Sequence, residues 1–175
     1  MPSEQEATFS GLQTAIQMEI DGKEFYLKAG KSIRNEPGAK LFQTLAAEED
    51  IHQRVFTEIY NKLKSKQRWP DVKIPAHDTK TLPTLFKTAI QKLGKDHTAL
   101  KAEFDAAQTG MDMENKTLDF YRNRSAKATF DSEKQLYNAF AGQESEHFRL
   151  LQDYYEFLTS PADYFKKKEH TAMDG

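Results

Sequence analysis

The sequence predicts an all-α protein, a four-helix bundle built from two helical hairpins, and three observations carry that prediction. Long segments are rich in Ala, Leu, Glu, Lys and Gln, which are good helix formers. No run alternates apolar and polar residues as a half-buried strand would. The chain also repeats itself. A shift of 95 positions, without a gap, carries Met18 to Met113, Glu19 to Glu114, Phe25 to Phe120 and Tyr26 to Tyr121. The same shift carries Leu41 to Leu136, Ala46 to Ala141, Glu49 to Glu144 and His52 to His147. One register held across two helices and their turn describes two copies of a hairpin, and two hairpins make a bundle.

Each element follows from the punctuation. A first helix is expected at about 7–34, closed by the turn "NEPGA" with Pro37 and Gly38. A second runs over about 39–66. The stretch "RWPDVKIPAHDTKTLP", 68–83, holds three prolines and no periodicity, so it breaks the helices. A short extra helix is predicted at 83–93, where apolar residues fall at 85, 86, 89, 90 and 93. Gly94 ends or bends it. The third long helix reaches about 128, and the last covers about 131–158. At ~3.3–3.6 Å per extended residue, the segment between the hairpins can cross the bundle's length. A long crossover is therefore expected, with the second and third long helices parallel. The bundle domain is placed at 1–160 and a C-terminal tail at 161–175.

Composition bounds the function. The 175 residues are enough for one domain with a sizeable core. A net charge of −2 makes no electrostatic case for a nucleic-acid partner. No apolar run is long enough for a membrane span, and no basic start precedes an apolar stretch, so a cytoplasmic location is expected. Cysteine is absent, which excludes disulfides, thiol catalysis, thiolate zinc and iron–sulfur centres within these residues.

Chemistry enters with "AAEEDIHQRVF" (46–56) and "AGQESEHFRLL" (141–151), which place a histidine three residues after a glutamate on one helix face. Each copy of the repeat keeps one glutamate in its first helix and a Glu–His pair in its second: Glu19, Glu49, His52, Glu114, Glu144 and His147. All six sit among apolar neighbours on core-facing stripes. A bare carboxylate is costly to bury, so inward-facing glutamates need protons, partners or metal. Four glutamates carry four negative charges, which two divalent cations balance while the imidazoles stay neutral. Oxygen-rich sites with one imidazole per ion suit iron or manganese, and zinc is possible. The bland reading is a structural bundle whose Glu–His pairs are ordinary salt bridges. Two pairs matched in register, each with a matched glutamate one helix earlier, favour metal.

At these residues, over about 12–156, the chain resembles the ferritin-like carboxylate-bridged di-iron proteins, and within them the rubrerythrin family. The resemblance implies two iron ions, with Glu49 and Glu144 bridging, Glu19 and Glu114 terminal, and His52 and His147 each completing one ion. It implies a di-iron oxidoreductase, a peroxidase or ferroxidase, that oxidises Fe(II) and reduces hydrogen peroxide or oxygen. The alternative is a ferritin-like iron-binding or storage protein without significant turnover. Rubrerythrins proper carry a rubredoxin module with iron-binding cysteines; here electrons must come from an external donor. They also carry a further glutamate one turn after the third-helix ligand, where this chain has Thr117, with Gly22 as its repeat mate. That departure counts against peroxidase cycling by iron movement and leaves a simple ferroxidase or oxidase in competition.

Tyr26 and Tyr121 stand seven residues after Glu19 and Glu114 and are candidate catalytic residues, either bonding ligand carboxylates or relaying an electron. A satisfied core tyrosine is the equal alternative. Glu48 and Glu146 neighbour the ligands without matched copies: Gln143 corresponds to Glu48 and Ile51 to Glu146. They read as solvent-facing or as groups supporting the ligands. Gly110 and Gly142 interrupt helical patterns, for close packing, for ligand space or by drift. His77, His97 and His170 lack the motif and read as surface residues. In the tail, Lys166, Lys167 and Lys168 form a solvated run, and Tyr164 and Phe165 dock on the bundle or on a second subunit. The aromatic surplus suggests a homodimer.

Overall fold

The computed structural model describes residues 3–66, 68–70, 73–75 and 79–173. Its helices are α1 (Glu4–Ser32), α2 (Glu36–Lys66), α3 (Thr81–Leu93), α4 (Lys101–Lys127), α5 (Asp131–Thr159) and α6 (Pro161–Met173). The all-α reading holds: α1 with α2 and α4 with α5 form two hairpins packed as a bundle, and short α3 lies between them in sequence. Among the described residues no helix is long and apolar enough to cross a membrane.

Local chemistry sets the helix ends. Ser3 accepts from the Glu6 backbone while the Glu6 carboxylate accepts from the Ser3 amide, a reciprocal cap that starts α1 three residues earlier than expected. The turn expected at 35–39 is tighter than that. The Asn35 side chain accepts from the Gly38 amide at 2.7 Å, so α2 begins at Glu36 with Pro37 and Gly38 inside its first turn. Pro83 likewise falls in the first turn of α3, which starts at Thr81. Gly94 ends α3 rather than bending it, with φ 76 and its amide bonded to the Ile90 carbonyl.

The crossover can be read from pairs across the bundle. A Cβ on Gly11 would strike the Arg124 side chain, and one on Gly110 would lie 3.3 Å from the Tyr26 ring. Early α1 therefore lies beside late α4, and late α1 beside early α4. Gly22 faces Glu49 and Gly30 faces Ala39, so α1 and α2 are antiparallel too. The second and third long helices consequently run the same way, as the crossover reading required.

Two apolar clusters fill the bundle. One holds Tyr26, Phe42, Leu45, Met111, Leu151 and Tyr154, with α3 residues Leu82, Phe86, Ala89 and Ile90. The other holds Leu12, Ala15, Phe56, Tyr121, Tyr137 and Phe140. Burying each leucine, isoleucine, phenylalanine or methionine among them contributes about 1.5–3 kcal/mol. Gly110 is explained by close approach, since its missing Cβ leaves room for Tyr26 and Leu151. Gly142 has open space around it and no packing demand.

The tail beyond Thr159 is not extended: α6 returns to the bundle. Phe157 meets Tyr164 and Phe165 edge-on, and the Tyr164 hydroxyl donates to Asp153 at 2.6 Å. Lys166, Lys167, Lys168 and His170 are exposed. His77 lies outside the described residues. His97 corrects the surface reading. Its Nε2 lies 3.1 Å from the Glu103 carboxylate and its ring stacks on Phe157, because the crossover lays it against the bundle end.

Glu103, 1% exposed, also accepts from Asn35, the Leu100 amide and Tyr154, so it ties the crossover to both hairpins. Glu103→Ala would orphan several donors at once and is expected to destabilise the fold by about 3 kcal/mol. Denaturant unfolding checks this, and a cost below the error of the extrapolation would count against the network.

Candidate metal centre

Helix periodicity turns the six polar residues inward. On α2, Leu45, Glu49, His52 and Phe56 share a stripe; on α5, Phe140, Glu144, His147 and Leu151 repeat it. On α1 and α4 the stripes are Leu12, Ala15, Glu19, Gly22, Tyr26 and Ala107, Met111, Glu114, Leu118, Tyr121. The apolar members bury the stripe and carry the carboxylates with it. All six side chains converge between the two apolar clusters, and none is more than 3% exposed.

The distances sort them. His52 Nδ1 lies 3.4 Å from Glu19, 3.2 Å from Glu49 Oε2 and 3.0 Å from Glu144 Oε1. His147 Nδ1 lies 3.2 Å from Glu49 Oε1, 3.5 Å from Glu114 and 3.5 Å from Glu144 Oε2. Glu49 and Glu144 thus turn one oxygen to each imidazole, while Glu19 and Glu114 each serve one side. The imidazole planes are parallel, with centroids 5.6 Å apart. Two overlapping donor sets result: Glu19, Glu49, His52 and Glu144 in one, Glu49, Glu114, Glu144 and His147 in the other, each with ligand atoms within 4.8 Å of one another.

Residues of this type fit a pair of cations. Glu49 Oε2, Glu144 Oε1 and both Nδ1 atoms are buried with no hydrogen-bond partner. Close approach without hydrogen-bond alignment leaves lone pairs aimed at shared centres, which cations satisfy and solvent-free protein does not. The His52 Nε2 meets Gln143 Oε1 at 2.8 Å; an amide oxygen only accepts, so the imidazole proton sits there and Nδ1 is left as the donor atom for a cation.

Protons hold the charge in the absence of metal. Burial, reinforced by Glu144 and Glu49, pushes Glu19 and Glu114 well above the usual carboxylate range. Burial also acts upward on Glu49 and Glu144, but the two imidazoles outweigh it and hold Glu49 well down and Glu144 at about 2. Burial opposes charge on His52 and His147, yet the surrounding glutamates raise both well above the usual imidazole value.

The tyrosines cross over. Tyr26 on α1 donates to Glu114 on α4, and Tyr121 on α4 donates to Glu19 on α1, so each hydroxyl serves the opposite hairpin's glutamate. Burial first, and the nearby carboxylates second, push both phenols well above their ordinary range.

A small cavity reaches this centre between α1 and α4, lined by Met18, Glu19, Gly22, Tyr26, Glu49, Met113, Glu114, Thr117 and Glu144. Its volume is about 10 Å³, room for one water-sized molecule. Gly22 and Thr117 are repeat mates on this wall, and the Thr117 hydroxyl bonds back to the Met113 carbonyl. A larger cleft at the bundle end, lined by Leu63, Trp69 and Phe130 among others, shares no residue with the site.

Compared with family models, the chain matches Rubrerythrin over residues 11–170. The chain belongs to the rubrerythrin family. Searches of curated proteins and of solved structures return no match. In this rubrerythrin-family chain the buried Glu/His clusters form a carboxylate-bridged arrangement typical of di-iron proteins and consistent with a binuclear metal site. No cysteine is present, hence no rubredoxin domain within it. Reading the sequence missed Gln143 as the partner of His52. Its signal was available, since Gln143 precedes His147 by one helical turn and is the repeat mate of Glu48.

Proposed function

We propose that this chain is a di-iron oxidoreductase of rubrerythrin type, oxidising Fe(II) while reducing hydrogen peroxide or dioxygen. The carrying observation is the buried set of four carboxylates and two imidazoles whose unpartnered atoms face two shared centres. Two ferrous ions held by these residues would supply one electron each, enough with two protons to convert one hydrogen peroxide to two waters.

Every other part of the chemistry falls to the chain. Glu49 and Glu144 would serve both positions, Glu19 and Glu114 would each hold one, and His52 and His147 would each complete one. The cavity beside the centre has room for one water-sized molecule, so its scale favours a small oxidant over an organic substrate. Tyr26, which lines that cavity, and Tyr121 stay protonated at neutral pH. They fix the orientation of Glu114 and Glu19, so their role is as hydrogen-bond donors beside the reacting centre rather than as acids. Manganese or zinc is an alternative occupant. An external donor returns the electrons, and a homodimer is the proposed assembly.

The test is anaerobic Fe(II) titration, expected to saturate near two per chain, followed by rapid mixing with peroxide or oxygen. Fast oxidation in step with oxidant consumption supports the enzyme. Saturation well below one ion per chain would sink it. Thr117 in the place of the further glutamate favours a simple ferroxidase or oxidase over peroxidase cycling, and iron storage without significant turnover is the alternative reading. That alternative predicts a cage many-fold larger than a dimer by size-exclusion chromatography.

A further inference from the structure

We propose that Glu48 is the hydrogen-bond acceptor for the outer nitrogen of His147, making the two metal positions chemically unequal. This rests on the di-metal reading above. The two hairpins are matched at all six ligands but differ at one supporting position, where the first copy has Glu48 and the second has Gln143.

The geometry shows what that position does. His52 on α2 reaches across to Gln143 on α5, with Nε2 2.8 Å from the amide oxygen. Gln143 lies four residues before His147, and Glu48 lies four residues before His52. The relation that superimposes the hairpins therefore directs His147 towards Glu48. A Glu48 carboxylate oxygen and one nitrogen of each imidazole lie within 4.8 Å of one another. The His147 ring is 0% exposed, and its Nε2 is buried without a hydrogen-bond partner. With Nδ1 turned to the glutamates, a neutral His147 carries its proton on Nε2, and a buried N–H needs an acceptor. Half-buried Glu48 is placed to be that acceptor.

The chemical consequence is an asymmetry. A carboxylate draws on the imidazole proton more strongly than a neutral amide oxygen does. It makes Nδ1 of His147 a better electron donor than Nδ1 of His52. The position served by Glu114 and His147 binds a cation more tightly than the one served by Glu19 and His52. Glu48 is a positioning residue here, acting on the ion only through His147.

Cobalt(II) titration of the metal-free full chain tests this, read by the paramagnetically shifted imidazole N–H resonances in the proton NMR spectrum. Wild type should fill in two steps, with two distinct exchangeable N–H signals. Glu48→Gln should weaken the tighter step by roughly 10–100-fold, bring the two signals together, and leave the metal-free melting temperature unchanged. Gln143→Glu, the second arm, should remove the inequality from the other side by strengthening the weaker step. Unchanged steps and signals in both variants would overturn the role of Glu48 while leaving the two-metal site standing. A wild-type chain that binds no cobalt would overturn both.

Discussion

Glu144→Gln is expected to abolish the rise in melting temperature that Mn(II) or Fe(II) gives the metal-free chain. Glu144 turns one oxygen to each imidazole, so a neutral amide there removes a ligand from both positions at once. In the wild type, free ion at a thousand times its dissociation constant stabilises a folded state by about 4 kcal/mol per site. For a chain of this size that is a shift of roughly 10 °C or more. The variant should show almost none of it. Glu156→Gln, exposed on the same helix, should keep the full shift.

The same substitution separates the metal reading from a salt-bridge reading. If the glutamates existed to pair with His52 and His147, removing one partner of a buried pair would cost about 3–5 kcal/mol without metal, and added metal would do nothing. In a metal site the unfilled cluster is already a compromise held together by protons. Loss of one carboxylate then lets one imidazole give up its proton, and the metal-free melting point moves little. Thermal unfolding of both proteins with and without Mn(II) decides it. A wild-type chain indifferent to metal would defeat the proposal.

The centre was legible in the sequence because burial and duplication leave the same trace twice. Glu and His on apolar stripes are conspicuous, and the matched register named the same six residues that the structure brings together. Helix starts were less legible, for one recurring reason. Pro37 belongs to an expected turn and Pro83 closes an expected break, yet Pro37, Pro83 and Pro161 each fall in the first turn of a helix, where the missing N–H costs nothing. Asn35 before Pro37, and Ser160 before Pro161, are the polar starters that should have turned those breaks into beginnings. Which glutamate each tyrosine serves was out of reach. Periodicity places Tyr26 on the face of Glu19, and only the packing of α1 against α4 carries its hydroxyl to Glu114. His97 departs from the surface expectation for a similar reason, since its partial burial depends on the path of the crossover.

Metal binding is expected to release up to four protons per chain and to tighten steeply as pH rises. The count follows from the protonation pattern of the metal-free cluster. Glu19 and Glu114 are raised by burial and by the charges of Glu144 and Glu49, so each keeps a proton. His52 and His147 are raised by the glutamates around them against the opposing effect of burial, so each carries one more. Glu49 and Glu144 are already ionised. Two divalent ions require four carboxylates and two neutral imidazoles, and so displace all four protons. Joint affinity for both ions should then rise by up to about four powers of ten per pH unit while those groups hold their protons. The signs for the metal-free fold follow as well. The raised groups add stability below their unfolded values, 6.5 for histidine and 4.5 for glutamate, and lose it as pH climbs through their folded values. Glu49 and Glu144 do the reverse, adding stability above 4.5 and losing it as pH falls, for Glu144 through about 2. Without metal the fold should weaken on the alkaline side, and bound Mn(II) should remove that weakness. Calorimetric titration with Mn(II) in two buffers of different ionisation enthalpy counts the protons directly. Release near zero would mean that the carboxylates are already charged and the imidazoles already neutral, which the unpartnered burial of this cluster does not permit.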